Sequence, residues 1–108
     1  MDFNALQERL RQFAGERGWD PYHSPKNLAM ALSVEAAELL EHFQWLSEQE
    51  SATISEEACA DIATEIADIQ IYLAIIAGKL GIDIDQAVDD KIAANALKYP
   101  PGKVGFRE

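Results

Sequence analysis

The sequence is poor in cysteine, in positive charge and in long apolar runs, and each shortage removes a class of function. Cys59 is the only cysteine, so no disulfide can form within the chain. It reads as a small, partly buried residue and not as a reactive thiol. Nine Lys and Arg stand against nineteen Asp and Glu, a formal net charge of −10. Phosphate backbones are gripped by clustered Lys and Arg, so no nucleic-acid polymer is expected as a partner. A small anionic ligand stays possible if a metal stands between the acids and its phosphates. The longest apolar run, around Ile71 to Ala77, is far short of the ~20 residues that span a bilayer, so no membrane partner is expected. The N-terminus is acidic and amphipathic and lacks the apolar region of a secretory signal. A reducing cytoplasm suits these absences.

What is present is helical periodicity. Phe3, Leu6, Leu10 and Phe13 recur at helical spacing and predict an amphipathic helix over about 2–17, stopped near Gly18. Ser24-Pro25 suits an N-cap and first helical position, so a second helix is expected from Pro25 to about Leu46. Ser47 to Ala52 reads as a polar connection. Thr53-Ile-Ser-Glu56 has the capping-box pattern and opens a third helix that runs to Leu80, with Gly81 as its stop. Asp83 and Gln86 open a fourth, to about Lys98, before Pro100-Pro101. The expected fold is all-α: a four- to five-helix, bundle-like single domain over residues 1–100 with a loose tail over 101–108. Residues 69–78 are apolar nearly all round, with Gln70 the strongly polar exception. A helix without a polar face is normally buried on every side. Four short helices cannot do that alone, which predicts a homo-oligomer.

Glu35 and Glu38 stand three residues apart on the second helix, and Glu65 and Asp68 do so on the third. Such positions are neighbours on a helix surface. At about 100° per residue, both pairs border the apolar seams rather than opposing them, so packing the seams would bring four carboxylates together. Oxygen-only donors of this kind suit Mg²⁺, or Mn²⁺. The alternative is that these are ordinary solvated helix acids. A di-iron site would want Glu-x-x-His on two helices, and that motif is absent.

Trp45 follows Glu38 by two turns on the same expected stripe, roughly 10 Å along the axis. That separation suits a metal-bound triphosphate and a base stacked on an indole; core filling would explain Trp45 equally well. Trp19 and Tyr22 could form the other wall. His23 and His42 read as ordinary polar residues, though His23 could reach a base edge. Lys91, Asn95 and Lys98 share one face of the last helix, as surface charge or as phosphate and sugar ligands. No covalent nucleophile motif, Gly-rich phosphate loop or CxxC is present. The expected attacker is therefore metal-activated water.

With these residues assembled, the chain resembles the MazG-like all-α nucleoside triphosphate pyrophosphohydrolases, whose E-x-x-E then E-x-x-D pattern is matched by Glu35, Glu38, Glu65 and Asp68. Within them it is most similar to the dCTP pyrophosphatase branch, through Phe13-Ala-x-Glu16-Arg17-x-Trp19, His23-x-Pro25-Lys26-Asn27-Leu28, Glu38-Leu-x-Glu41-x-Phe43-Gln44-Trp45 and Asp68-Ile-x-Ile-Tyr72-Leu73. Asp83-Ile-x-Gln86-Ala87-Val88-x-x-Lys91 and Lys98-Tyr99-Pro100 extend the match. The resemblance implies Mg²⁺-dependent cleavage of a nucleoside triphosphate between the α and β phosphates, on dCTP or modified pyrimidine deoxynucleotides, as nucleotide-pool house-cleaning. It implies metal binding by Glu35, Glu38, Glu65 and Asp68, phosphate or sugar contacts from Tyr72, Lys91 and Asn95, and a base flanked by Trp19 and Trp45. It also implies a tetramer, or a dimer at minimum, with sites formed between chains. Two other readings stand beside it: a broad-specificity NTP or phosphoribosyl-nucleotide pyrophosphohydrolase on the same cage, and a non-catalytic helical scaffold.

Overall fold

The computed structural model describes residues 2–102, and the regular elements among them are all helical. They are α1 (Phe3–Glu16), a 3₁₀ turn (Asp20–Tyr22), α2 (Pro25–Glu41), α3 (Glu48–Ser51), α4 (Glu56–Leu80) and α5 (Ile84–Lys98). The all-α expectation holds, with five α-helices. Of the tail expected over 101–108, residues 103–108 lie outside the described residues.

Local signals set the starts and stops. Each α-helix opens on a side chain that accepts from a backbone N–H three residues on: Asp2 from Ala5, Ser24 from Asn27, Ser47 from Glu50, Ser55 from Ala58 and Asp83 from Gln86. These bonds satisfy donors that the first turn leaves without partners. Gly81 closes α4 at φ 68°, a left-handed conformation that glycine adopts without a Cβ penalty.

The second helix is shorter than its sequence pattern predicts. It stops at Glu41 and the chain passes through turns over residues 42–45. The competing signal is Ser47-Glu48-Gln49-Glu50, a complete capping box in which Glu50 also accepts from the Ser47 N–H at 2.8 Å. Ser47 must be extended to serve as that cap (φ −71°, ψ 166°), so α2 cannot continue through it. The polar connection thus contains a helix of its own, and the cap of α4 is Ser55, not Thr53.

α2 packs against α4, and α1 packs on α4, while α5 touches the other helices only slightly. The shape is open: the radius of gyration is 16.9 Å, against about 13 Å for a compact domain near this length. Among the described residues, burial is confined to Ala14, Leu28, Ile62, Ala74 and Ala77. The isoleucine seam of α4 is only partly used, since Ile62 is buried but Ile66 is 47 % exposed. Cys59 is exposed rather than partly buried. On α5, Ile92 and Leu97 are 62 % and 87 % exposed, and on α2 so is Val34, at 56 %. Among the described residues no helix is long and apolar enough to cross a membrane.

Candidate metal centre and adjoining cleft

The packing of α2 on α4 brings Glu35, Glu38 and Glu65 together. One carboxylate oxygen from each lies within 4.8 Å of the other two, and all three side chains are half-buried. Asp68, one turn beyond Glu65, stands outside this convergence but close enough for its charge to act on Glu35. It also lines the neighbouring cleft, so it occupies the border between acids and cleft.

Three observations make the cluster fit a divalent cation. The donor set is all oxygen, as Mg²⁺ and Mn²⁺ prefer. Glu35 Oε2 is removed from water and has no hydrogen-bond partner, a costly state for a carboxylate oxygen. Burial pushes the Glu35 carboxyl above its ordinary value of 4.5, and the neighbouring Glu38, then the charges of Asp68 and Glu65, push it further in the same direction. A cation would reverse each of these penalties.

The pH dependence follows in sign. The folded protein holds a proton on Glu35 more tightly than the unfolded chain does. The stability contributed by this group is fully present below the ordinary value of 4.5 and is lost as pH rises through the higher folded-state value. In chelator-treated protein the melting midpoint of wild type should therefore fall relative to that of Glu35→Gln from acid toward neutral pH, and millimolar Mg²⁺ should narrow that gap. A gap that does not change with pH without metal would contradict this account of the cluster.

A cleft of about 410 Å³ opens beside the acids between α1, the 3₁₀ turn and α4, within the size range of small-molecule sites. Its walls are mainly apolar (Leu6, Leu10, Phe13, Ile71, Ile75), with Trp19, His23, Tyr72, Arg9 and Asp68 as the residues able to orient a ligand. Tyr72 lies one turn after Asp68, so the acid border continues along α4 into the cleft. Trp19 is held edge-on by Phe13, ring centroids 5.5 Å apart, yet stays 45 % exposed, which leaves indole surface for stacking. A second, more polar cleft of about 300 Å³ adjoins the first, sharing Leu10, Ala14, His23 and Ile75. Between α4 and the 3₁₀ turn, Lys79 Nζ donates to Asp20 Oδ1 at 2.5 Å, and that ammonium lowers the Asp20 carboxyl below its usual range. The pair ties the turn carrying Trp19 and His23 to the end of α4.

Not every sequence-predicted residue reaches this place within one chain. Trp45 lies beyond the end of α2, is 86 % exposed, and does not line either cleft. Tyr22 is 71 % exposed and lines neither. Lys91 and Asn95 sit on α5, with Lys91 exposed, and line neither cleft. Conversely, His42, an ordinary polar residue by its sequence context, meets Glu65 through its ring, Nε2 to Oε2 at 3.3 Å. The signal was available, because His42 follows Glu38 by four residues and Glu35 by seven, positions on one helix face.

The model of the MazG-like family matches residues 30–104. The mouse protein dCTP pyrophosphatase 1 is 40% identical over 92 residues, covering 82% of this chain and 54% of its own length. The human protein of that name is 37% identical over 91 residues with the same coverage. The chain thus spans about half the length of the curated relatives it matches. A crystal structure of a pyrophosphatase from Archaeoglobus fulgidus DSM 4304 superposes with a TM-score of 0.85 at 42% identity, covering 93% of this chain and 94% of that one.

Proposed function

The chain belongs to the MazG-like family, and from that premise we propose that it is a nucleoside triphosphate pyrophosphohydrolase that uses a divalent metal, Mg²⁺ or Mn²⁺. The bond cleaved is the oxygen bridge between the α and β phosphates, with nucleoside monophosphate and pyrophosphate as products. The observation that carries this reading is the convergence of Glu35, Glu38 and Glu65 around a carboxylate oxygen without a partner, at the edge of a cleft of nucleoside size.

Glu35, Glu38 and Glu65 would hold the metal, with Asp68 completing the acidic border. When bound, the metal supplies Lewis acidity toward the phosphate oxygens and toward water. The protein's own groups do the rest. The apolar walls from Leu6 to Ile75 and the Trp19 ring receive the nucleoside and exclude water from one side of the triphosphate. Tyr72 lines that cleft one turn beyond Asp68, placed for the sugar or the first phosphate. No Ser, Thr or Cys lines either cleft, so the phosphoryl acceptor is water, and a carboxylate of the border is the group available to take its proton.

The names of the mouse and human relatives support dCTP, or a modified pyrimidine deoxynucleotide, as the substrate. Leu10 in the cleft wall favours a second, broader reading, because it offers a base edge no hydrogen bond. A phosphate-binding role for Lys91 and Asn95, and a stacking role for Trp45, require a second copy of the chain, which the open apolar faces supply with a reason to bind. The site is then complete only in a homodimer, or in a tetramer built from dimers.

A panel of nucleoside triphosphates incubated with Mg²⁺, with products separated by chromatography, tests the reaction and the base together. Monophosphate and pyrophosphate in equal amounts are expected, with pyrimidine deoxynucleotides turned over fastest. Release of orthophosphate alone would refute the reaction, and no turnover of any triphosphate would favour the scaffold reading.

A further inference from the structure

We infer that His42 is a positioning residue for the metal cage, its imidazole holding the Glu65 carboxylate in place from outside the metal's own donor set. The inference rests on the metal-cage reading above.

Glu65 is the one cage acid contributed by α4, so its carboxylate faces two acids across the α2–α4 contact. Without a donor, mutual repulsion would drive it away from Glu35 and Glu38 whenever the metal is absent. The His42 ring reaches that carboxylate from beyond the other two acids, Nε2 to Glu65 Oε2 at 3.3 Å. A carboxylate only accepts, so the bond requires a proton on Nε2. The pair is sheltered, with side chains 26 % and 15 % exposed, which limits competition from water.

Two features separate this role from direct ligation. The three glutamate oxygens share a common 4.8 Å neighbourhood from which the imidazole is excluded. The ring is also rooted independently of the cage: His42 is the C-cap of α2, its backbone N–H bonded to the Leu39 and Leu40 carbonyls. A group fixed by its own backbone and touching a ligand from outside orients that ligand in advance of binding. Partners of this kind are worth roughly 10- to 100-fold in metal affinity.

The test compares wild type, His42→Leu and His42→Gln, the last keeping an N–H donor. Mg²⁺ binding is followed by calorimetry, and Mn²⁺ binding by electron paramagnetic resonance. His42→Leu should bind either ion at least about tenfold more weakly, with the metal-free fold unchanged by circular dichroism, and His42→Gln should recover most of the loss. Equal affinity in wild type and His42→Leu overturns the inference while leaving the metal cage intact. Nitrogen hyperfine coupling to Mn²⁺ in the wild type would put the imidazole on the metal and likewise overturn it. Failure of the wild type to bind either ion would remove the cage reading itself, and this inference with it. If His42→Leu does not fold, ¹⁵N-histidine spectra of the wild type decide: a proton on Nε2 supports the bond, and one on Nδ1 alone removes it.

Discussion

Glu38→Gln protein is expected to release pyrophosphate at least about 10²-fold more slowly than wild type while melting as a folded helical protein. Removing one preorganised charge-stabilising group typically costs 10²–10³ in rate, and Glu38 is one of the three residues whose oxygens converge. The substitution keeps shape and removes one negative charge from a cluster that repels itself. The metal-free variant should therefore melt no lower than wild type, and higher at neutral pH. Loss of activity combined with unchanged or raised metal-free stability is a signature that misfolding cannot produce. Since the missing charge is needed only when metal is present, stabilisation by Mg²⁺ should shrink along with turnover. A variant that keeps wild-type turnover would show that the converging acids are solvated helix residues after all.

The second large effect is complementation between two inactive proteins. Glu38→Gln lacks a cage acid, and Lys91→Met lacks a cation on α5. If each site takes its acids from one protomer and Lys91 from its partner, a mixed dimer has one doubly damaged site and one intact site. Two-fold symmetry guarantees that arrangement. Refolding equal amounts together makes about half the dimers mixed, each with one working site of two, so about a quarter of wild-type activity should return. The same reasoning holds for a tetramer of such dimers. Activity no greater than the sum of the two residual values would place Lys91 outside the site, or inside its own protomer's. The physical basis is the shape of the single chain, in which α5 lies nearly free of the other helices with Ile92 and Leu97 turned to solvent.

How much of this was legible depends on the distance over which each feature is decided. The caps Ser24 and Asp83 and the stop at Gly81 were readable because a helix boundary is fixed by groups within about four residues. The end of α2 is decided just as locally: the apolar spacing through Phe43 and Leu46 predicts a longer helix, but the Ser47–Glu50 capping box starts a new one and ends it. Trp45 consequently left the helical stripe on which it had been placed. The acids show both sides. Their i, i+3 spacing beside apolar seams predicts that four carboxylates meet. The structure gathers Glu35, Glu38 and Glu65 and leaves Asp68 at the cleft, since the relative rotation of α2 and α4 is not encoded in either helix alone. His42 could have been found from its place four residues after Glu38. Its partner could not, being 23 residues away.

The sequence by itself determined that the chain is helical, where most helices start, that carboxylates stand in pairs beside apolar seams, and that one helix has no face fit for water. All of these follow from backbone hydrogen bonding and side-chain periodicity within a few turns. Only the tertiary structure decided which three acids meet, that a nucleoside-sized cleft opens beside them, that Asp20 and Lys79 join across 59 residues, and that α5 stands apart. Those outcomes depend on how helices rotate and settle on one another, which is set by the summed packing of many side chains.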